Sequence, residues 1–86
     1  MDGVFQKVNS AALRAEKIWF SDGYIFVLLS DGRICGHPLS WYPRLEKASM
    51  AQLLNFELWS DGKWIHWEDL DEDLSAQGFS TYVAKP

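Results

Sequence analysis

Apolar and polar positions along this 86-residue chain fall into short runs, and one recurring tripeptide divides them. Ser-Asp-Gly occurs as Ser21-Asp22-Gly23, Ser30-Asp31-Gly32 and Ser60-Asp61-Gly62, each time between apolar segments. Asp-Gly is a favoured pair for tight hairpin turns, because glycine, and less easily aspartate, accepts the positive φ such turns require. The pattern predicts three hairpins. They join strands near Glu16 to Phe20, Tyr24 to Leu29, Arg33 to His37, Phe56 to Trp59 and Lys63 to Trp67, the first three forming an antiparallel meander.

Strand order follows from the same pattern. Tyr24-Ile25-Phe26-Val27-Leu28-Leu29 is apolar throughout, which predicts a central strand buried on both faces. The next strand holds Gly36 and ends in Pro38, which has no N–H for a ladder, so it belongs at an edge. Pro43 suits a first helical turn, and Leu45, Ala48, Met50, Ala51, Leu53 and Leu54 form a stripe, predicting one main helix over Arg44 to Leu54 packed on a sheet face. Asp69, with Glu72 three residues on, has the form of a capping box opening a short C-terminal helical turn. For Val4 to Leu13 a short helix and an extended arm are equally compatible. The expected fold is a single α+β domain over residues 1–86: a three-stranded β-meander plus a further hairpin, one main helix and a short C-terminal helical turn.

Composition narrows the class. Apolar residues make up 48% of the chain and aromatic residues 15%, the balance of a folded globule, not a disordered segment. The longest apolar run, Tyr24 to Leu29, is far short of the roughly 20 residues that span a bilayer. No membrane helix is expected. The N-terminus lacks the basic start and apolar stretch of a secretory signal, and the single cysteine, Cys35, cannot form an internal disulfide. A cytoplasmic location is the expectation. The net charge is −4, and Glu68, Asp69, Asp71, Glu72 and Asp73 supply five of the twelve acids, leaving seven against eight basic residues elsewhere. The basic residues are scattered singly, which disfavours direct contact with nucleic acid.

The acidic run invites a metal reading. Asp69-x-Asp71-x-Asp73 resembles the start of a calcium loop, yet Leu74 stands where the loop needs glycine and Ser80 where it needs a bidentate glutamate. A magnesium or manganese site built from His66, Asp69, Asp71 and Asp73 is the alternative, since hard cations prefer oxygen ligands. Carboxylates near a helix start serve more commonly as caps. Cys35 and His37 lie two apart on a strand and so share a face, as a thiolate and its base would, but nothing supplies an oxyanion hole. Arg44 falls in a helix's first turn, where the dipole disfavours a cation, so an acidic partner among Glu68, Asp71 and Asp73 is expected. Trp41 and Trp67 would flank it. Five tryptophans in so small a domain cannot all be buried, which predicts an exposed aromatic patch suited to protein contact or self-association.

One resemblance is specific. Ile18-Trp19-Phe20, Leu29-Ser30-Asp31-Gly32-Arg33, Pro38-Leu39-Ser40-Trp41-Tyr42-Pro43-Arg44-Leu45, Ala48-Ser49 and Ile65-His66-Trp67-Glu68-Asp69-Leu70-Asp71-Glu72-Asp73-Leu74-Ser75 are similar, in order and spacing, to the bacterial family called domain of unknown function 2442. The likeness covers residues 12–80. The family's usual Trp-Phe-Pro-Arg-Leu stands here as Trp41-Tyr42-Pro43-Arg44-Leu45, and the leucine pair common after Gly78 is replaced by Phe79-Ser80. The resemblance implies a small α+β domain with a meander and no known activity. Members of that family often lie beside another small uncharacterised protein, which has suggested toxin and antitoxin pairs, and some carry a helix-turn-helix for which this chain has no room.

Together these readings make the chain a non-catalytic protein-interaction module, antitoxin-like in one version, with no cofactor and with self-association as a homodimer a further expectation. Trp41, Tyr42, Arg44, His66, Trp67, Asp71 and Asp73 are the expected partner-binding residues. The rival reading is a metal-dependent hydrolase or small-ligand binder using His66 and the acidic run.

Overall fold

A computed structural model describes residues 12–82, and within them two three-stranded antiparallel sheets and short helices form a mixed α+β fold. The first sheet comprises β1 (Ala15–Ser21), β2 (Tyr24–Leu29) and β3 (Ile34–Pro38), in that spatial order. The second comprises β4 (Glu57–Trp59), β5 (Trp64–Trp67) and β6 (Glu72–Ser75), also in sequence order. Between the sheets in sequence lie a 3₁₀ turn (Leu39–Trp41), α1 (Pro43–Glu46) and α2 (Met50–Leu54), and α3 (Ala76–Thr81) follows β6. Among the described residues no helix is long and apolar enough to cross a membrane.

Each Ser-Asp-Gly closes a hairpin, by three different loops. Asp22 and Gly23 both take positive φ, 49° and 79°, a two-residue turn of the kind that matches strand twist. At Ser30-Asp31-Gly32 only Gly32 is left-handed, and Asp31 holds the amide and guanidinium of Arg33. At Ser60-Asp61-Gly62 all three residues have positive φ in a four-residue loop that ends at Lys63.

As its apolar run predicts, β2 is central, but its burial alternates. Ile25, Val27 and Leu29 face the core and are fully buried, whereas Tyr24 is exposed and Phe26 and Leu28 are half-buried on the outer face. The core gathers Ile18 with those three residues, Leu45 and Leu53 from the helices, Ile65 and Trp67 from β5, and Ala76 and Phe79 from α3.

The segment 44–54 is not one helix. It breaks after Glu46, and Ser49 starts α2 anew with a capping box: its hydroxyl accepts from the Gln52 amide while the Gln52 side chain accepts from the Ser49 amide. Because of the break, Leu45 and Leu53 reach the core while Met50 and Leu54 are exposed. The acidic run does not open a helix either. Residues 68–71 form the loop of a fourth hairpin, closed by Asp71 at φ 52°, and β6 pairs with β5 through Trp67↔Glu72 and Ile65↔Leu74. The C-terminal helix begins at Ala76, with Ser75 as its cap. Residues 4–11 of the stretch read as helix or arm lie outside the described residues.

Candidate functional site

In β4 and β5, side-chain alternation separates a buried face from an open one. Ile65 and Trp67 point into the core, so Trp64 and His66 point to the opposite face, where Trp64 is exposed and His66 is buried beneath its neighbours. The register sets Trp59 opposite Trp64, Glu57 opposite His66 and Asp73 opposite His66 from the other side. One surface of the second sheet therefore carries Glu57, Trp59, Trp64, His66 and Asp73, with Glu68 reaching in from the loop.

His66 is the hub. Its Nδ1 contacts Asp73 Oδ1, its Nε2 lies 2.7 Å from Glu68 Oε1, and the Trp59 ring stacks over it with centroids 3.8 Å apart. A neutral imidazole has one N–H, so a ring whose two nitrogens both face carboxylates is best served by the imidazolium. The hydrogen bonds to Asp73 and then Glu68 accordingly raise the His66 pKa. Trp59 in turn donates its indole N–H to Glu57 at 2.9 Å. Trp59 and Trp64 are 46% and 45% exposed, a large area for such rings on a small domain. Trp64 also borders a cleft of about 330 Å³ with Tyr82, Ser75 and Gly78, backed by the buried rings of Tyr42 and Phe79.

Arg44 does hold the C-terminal segment. Its Nη1 donates to the Asp71 carbonyl and lies 3.7 Å from Glu72 Oε1 and 4.0 Å from Asp71 Oδ2. Of the three acids expected as partners only Asp71 takes part, and Glu72 takes the place of Glu68 and Asp73, which are committed to His66. Burial pushes the Glu72 carboxyl up against the opposing pull of Arg44.

Three residues expected at a contact surface lie elsewhere. Trp67 is fully buried and donates its indole N–H to the Leu53 carbonyl at 3.0 Å, tying β5 to α2. It cannot flank Arg44 at a surface. Tyr42 is buried, its hydroxyl 2.6 Å from His37 Nδ1, and burial raises its pKa. Trp41 is half-buried, its ring packed against His37 and Tyr82. His37 itself is stacked on Phe79 at 3.8 Å, and burial lowers its pKa, so it is a neutral core histidine; Cys35, on the same face, packs against the core.

The metal readings fail on geometry. Asp69 faces Asn55, Asp71 faces Arg44 and Asp73 faces His66, so the three alternating carboxylates diverge. Among the described residues no three histidine, cysteine, aspartate or glutamate side chains converge as ligands. What sequence reading missed is the pair Trp59 and Trp64. The signal was available: a four-residue loop centred on Asp61-Gly62 sets these two residues opposite each other.

This fold and this histidine-centred acidic face define a small two-sheet α+β domain. The model of the family described as protein of unknown function (DUF2442) matches residues 15–83, and the chain belongs to that family. Its fold is similar to that in a crystal structure described as a protein of unknown function from Rhodospirillum rubrum ATCC 11170, with a TM-score of 0.71 and 31% identity over 88% of this chain and 94% of that one. Among curated proteins no match is found.

Proposed function

We propose that this chain is a non-catalytic protein-binding module whose contact surface is the outer face of β4, β5 and β6, and that its partner presents lysine or arginine side chains there. The observation that carries this reading is the cross-strand pair Trp59 and Trp64, both nearly half-exposed, rimmed by the carboxylates of Glu57, Glu68 and Asp73. Tryptophan faces attract cations more strongly than other rings do, and the carboxylates supply charge-assisted hydrogen bonds beside them. Rigid aromatic surface with a polar rim is also the usual composition of a protein-binding hot spot. Self-stacking on His66 holds Trp59 in place before a partner arrives, which lowers the ordering cost of binding. An antitoxin-like role is one form of this function and rests on the resemblance to the family alone.

The test is calorimetric titration of the full chain with a peptide rich in lysine and arginine, beside the same peptide with its lysines acetylated and arginines replaced by glutamine. Saturable binding of the basic peptide alone, weakened at least about tenfold by Trp59→Ala with Trp64→Ala and reduced by salt, is the expected result. Equal affinity of the double variant, or no preference for the basic peptide, sinks the reading.

A further inference from the structure

β6 is an edge strand, and the backbone groups it leaves unpaired can be named. The Ala76 amide donates to the Lys63 carbonyl at 2.9 Å, in register with the ladder between β5 and β6. Hydrogen-bonded pairs alternate with non-bonded ones along an antiparallel ladder, so Ile65↔Leu74 and Trp67↔Glu72 are bonded pairs, whereas Trp64↔Ser75 and His66↔Asp73 are not. The N–H and C=O of Asp73 and the N–H of Ser75 therefore turn away from β5, toward an edge that no other strand of the described residues occupies.

A cleft of about 330 Å³ runs beside β6 from Glu72 to Ser75, with Trp64 from the outer face and Tyr42 and Phe79 from the core among its walls. Its volume falls in the range of preformed ligand pockets, roughly 300–1,000 Å³. The two sides of the strand differ in chemistry. Asp73 and Ser75 share the outer face with Trp64 and His66, where Asp73 and Glu68 hold carboxylates. Glu72 and Leu74 point to the other side, where Leu74 packs against the core and Glu72 is paired with Arg44 at 3.7 Å.

We infer that the free edge of β6 takes up an extended segment of the partner as an added strand, and that this segment alternates lysine or arginine with apolar residues, a mode of binding that rests on the protein-binding reading above. An added strand satisfies the idle backbone groups of Asp73 and Ser75, while its alternate side chains enter two separate surroundings. Those on the outer face meet Trp64 and Asp73, which suit a cation on an aliphatic stem. Those on the other side meet Tyr42, Phe79 and Leu74, which suit an apolar group. Charge also disfavours the simplest competitor, a second β6. Pairing two copies edge to edge would bring Glu72 and Asp73 of one against the same carboxylates of the other.

The test is calorimetric titration of the full chain with a peptide of about seven residues that alternates lysine with valine or tyrosine. Beside it run a peptide of the same composition with its lysines contiguous, one N-methylated at every lysine and one N-methylated at every apolar residue. N-methylation removes backbone donors, and along a strand only alternate residues aim theirs at a given neighbour. One methylated peptide is therefore expected to lose at least about tenfold in affinity and the other to stay within about threefold of the parent, loss in the lysine set marking antiparallel addition. The contiguous peptide is expected to bind more weakly than the alternating one. In the complex, hydrogen exchange at the Asp73 and Ser75 amides is expected to slow. Equal affinity of the two methylated peptides, or unchanged exchange at both amides, overturns the added strand while leaving a basic partner in place, and contiguous lysines that bind as tightly overturn the alternation. No binding by any of the basic peptides overturns both this inference and the reading beneath it.

Discussion

The amide of Ala15 donates to the carbonyl of Gly62 at 2.7 Å, so the first residue of β1 is hydrogen-bonded to the loop between β4 and β5. The two sheets are thus joined through backbone as well as core. Gly62 stands at φ 93°, and a Cβ there would meet the Ala15 carbonyl oxygen at 2.6 Å. Gly62→Ala meets a left-handed backbone and a backbone clash together, and the left-handed cost alone is roughly 1–2 kcal/mol. Urea denaturation is expected to show a loss of at least about 2 kcal/mol, with Gly23→Ala, where nothing lies within 4 Å, costing less. Equal losses at the two glycines would show that the Ala15 contact contributes nothing.

Trp67 links the second sheet to α2 by its indole N–H. Trp67→Phe keeps a ring in the core but leaves the buried Leu53 carbonyl without its donor and opens a small void. Losing a buried partner costs about 1–3 kcal/mol, and the void adds to it. Trp64→Phe, on the open face, is expected to change stability by no more than about 0.5 kcal/mol. Thermal denaturation of the two variants side by side decides whether Trp67 is structural, as its burial requires, or belongs to a contact surface.

The clasp at Arg44 is expected to be weak. The Arg44 side chain is mostly exposed and its closest carboxylate oxygen is 3.7 Å away, so Coulomb attraction acts through water. Arg44→Ala is therefore expected to cost about 1 kcal/mol or less, most of it from the hydrogen bond to the Asp71 carbonyl, and that cost is expected to be nearly the same at low and high salt. A loss that vanishes in high salt would assign the clasp to the ion pair with Glu72 instead.

Divalent metal should leave the protein indifferent. Asp69, Asp71 and Asp73 face three different partners, so a cation finds no ready-made cage. Melting temperature is expected to be the same, within error, in EDTA, magnesium and manganese. A rise with either ion, reversed by EDTA, would restore the metal reading, because any ligand specific to the folded state stabilises it.

Most of the strand framework was legible because its signals are local. Asp-Gly pairs mark three of the four hairpins, and the unbroken apolar run picks out β2 as central. The fourth hairpin was hidden because Asp71 supplies the positive φ without a glycine, and its acidic neighbours imitate a helix start. Periodicity suggested a single helix over 44–54, while the Ser49 and Gln52 capping box that restarts it was present in the sequence and outweighed by the stripe. The site was less legible. Whether Trp67 or Trp64 faces water depends on which side of β5 meets the core, and that is fixed by the packing of α2 and α3, a tertiary fact with no local signature.

Two histidines with opposite shifts make stability depend on pH from both sides. Hydrogen bonds to Asp73 and Glu68 raise the His66 pKa above its ordinary 6.5, so the folded state holds the proton more tightly than the unfolded chain. That contribution is complete below about pH 6.5 and is lost as the pH rises through the folded value. His37 behaves in the opposite way. Burial lowers its pKa, so the unfolded chain takes up a proton near pH 6.5 while the folded core resists, and stability falls as the pH drops below that point. At more acid pH the loss of Asp31, whose carboxylate is held low first by the Arg33 amide and then by its guanidinium, adds to the fall. Urea denaturation in steps from about pH 5 to pH 9 is expected to give a maximum near pH 6.5. His66→Gln removes the titrating ring and is expected to flatten the alkaline limb while leaving the acid limb in place. If the alkaline limb survives in His66→Gln, the two carboxylates do not hold an imidazolium, and the charge on the outer face of the second sheet must be reckoned without it.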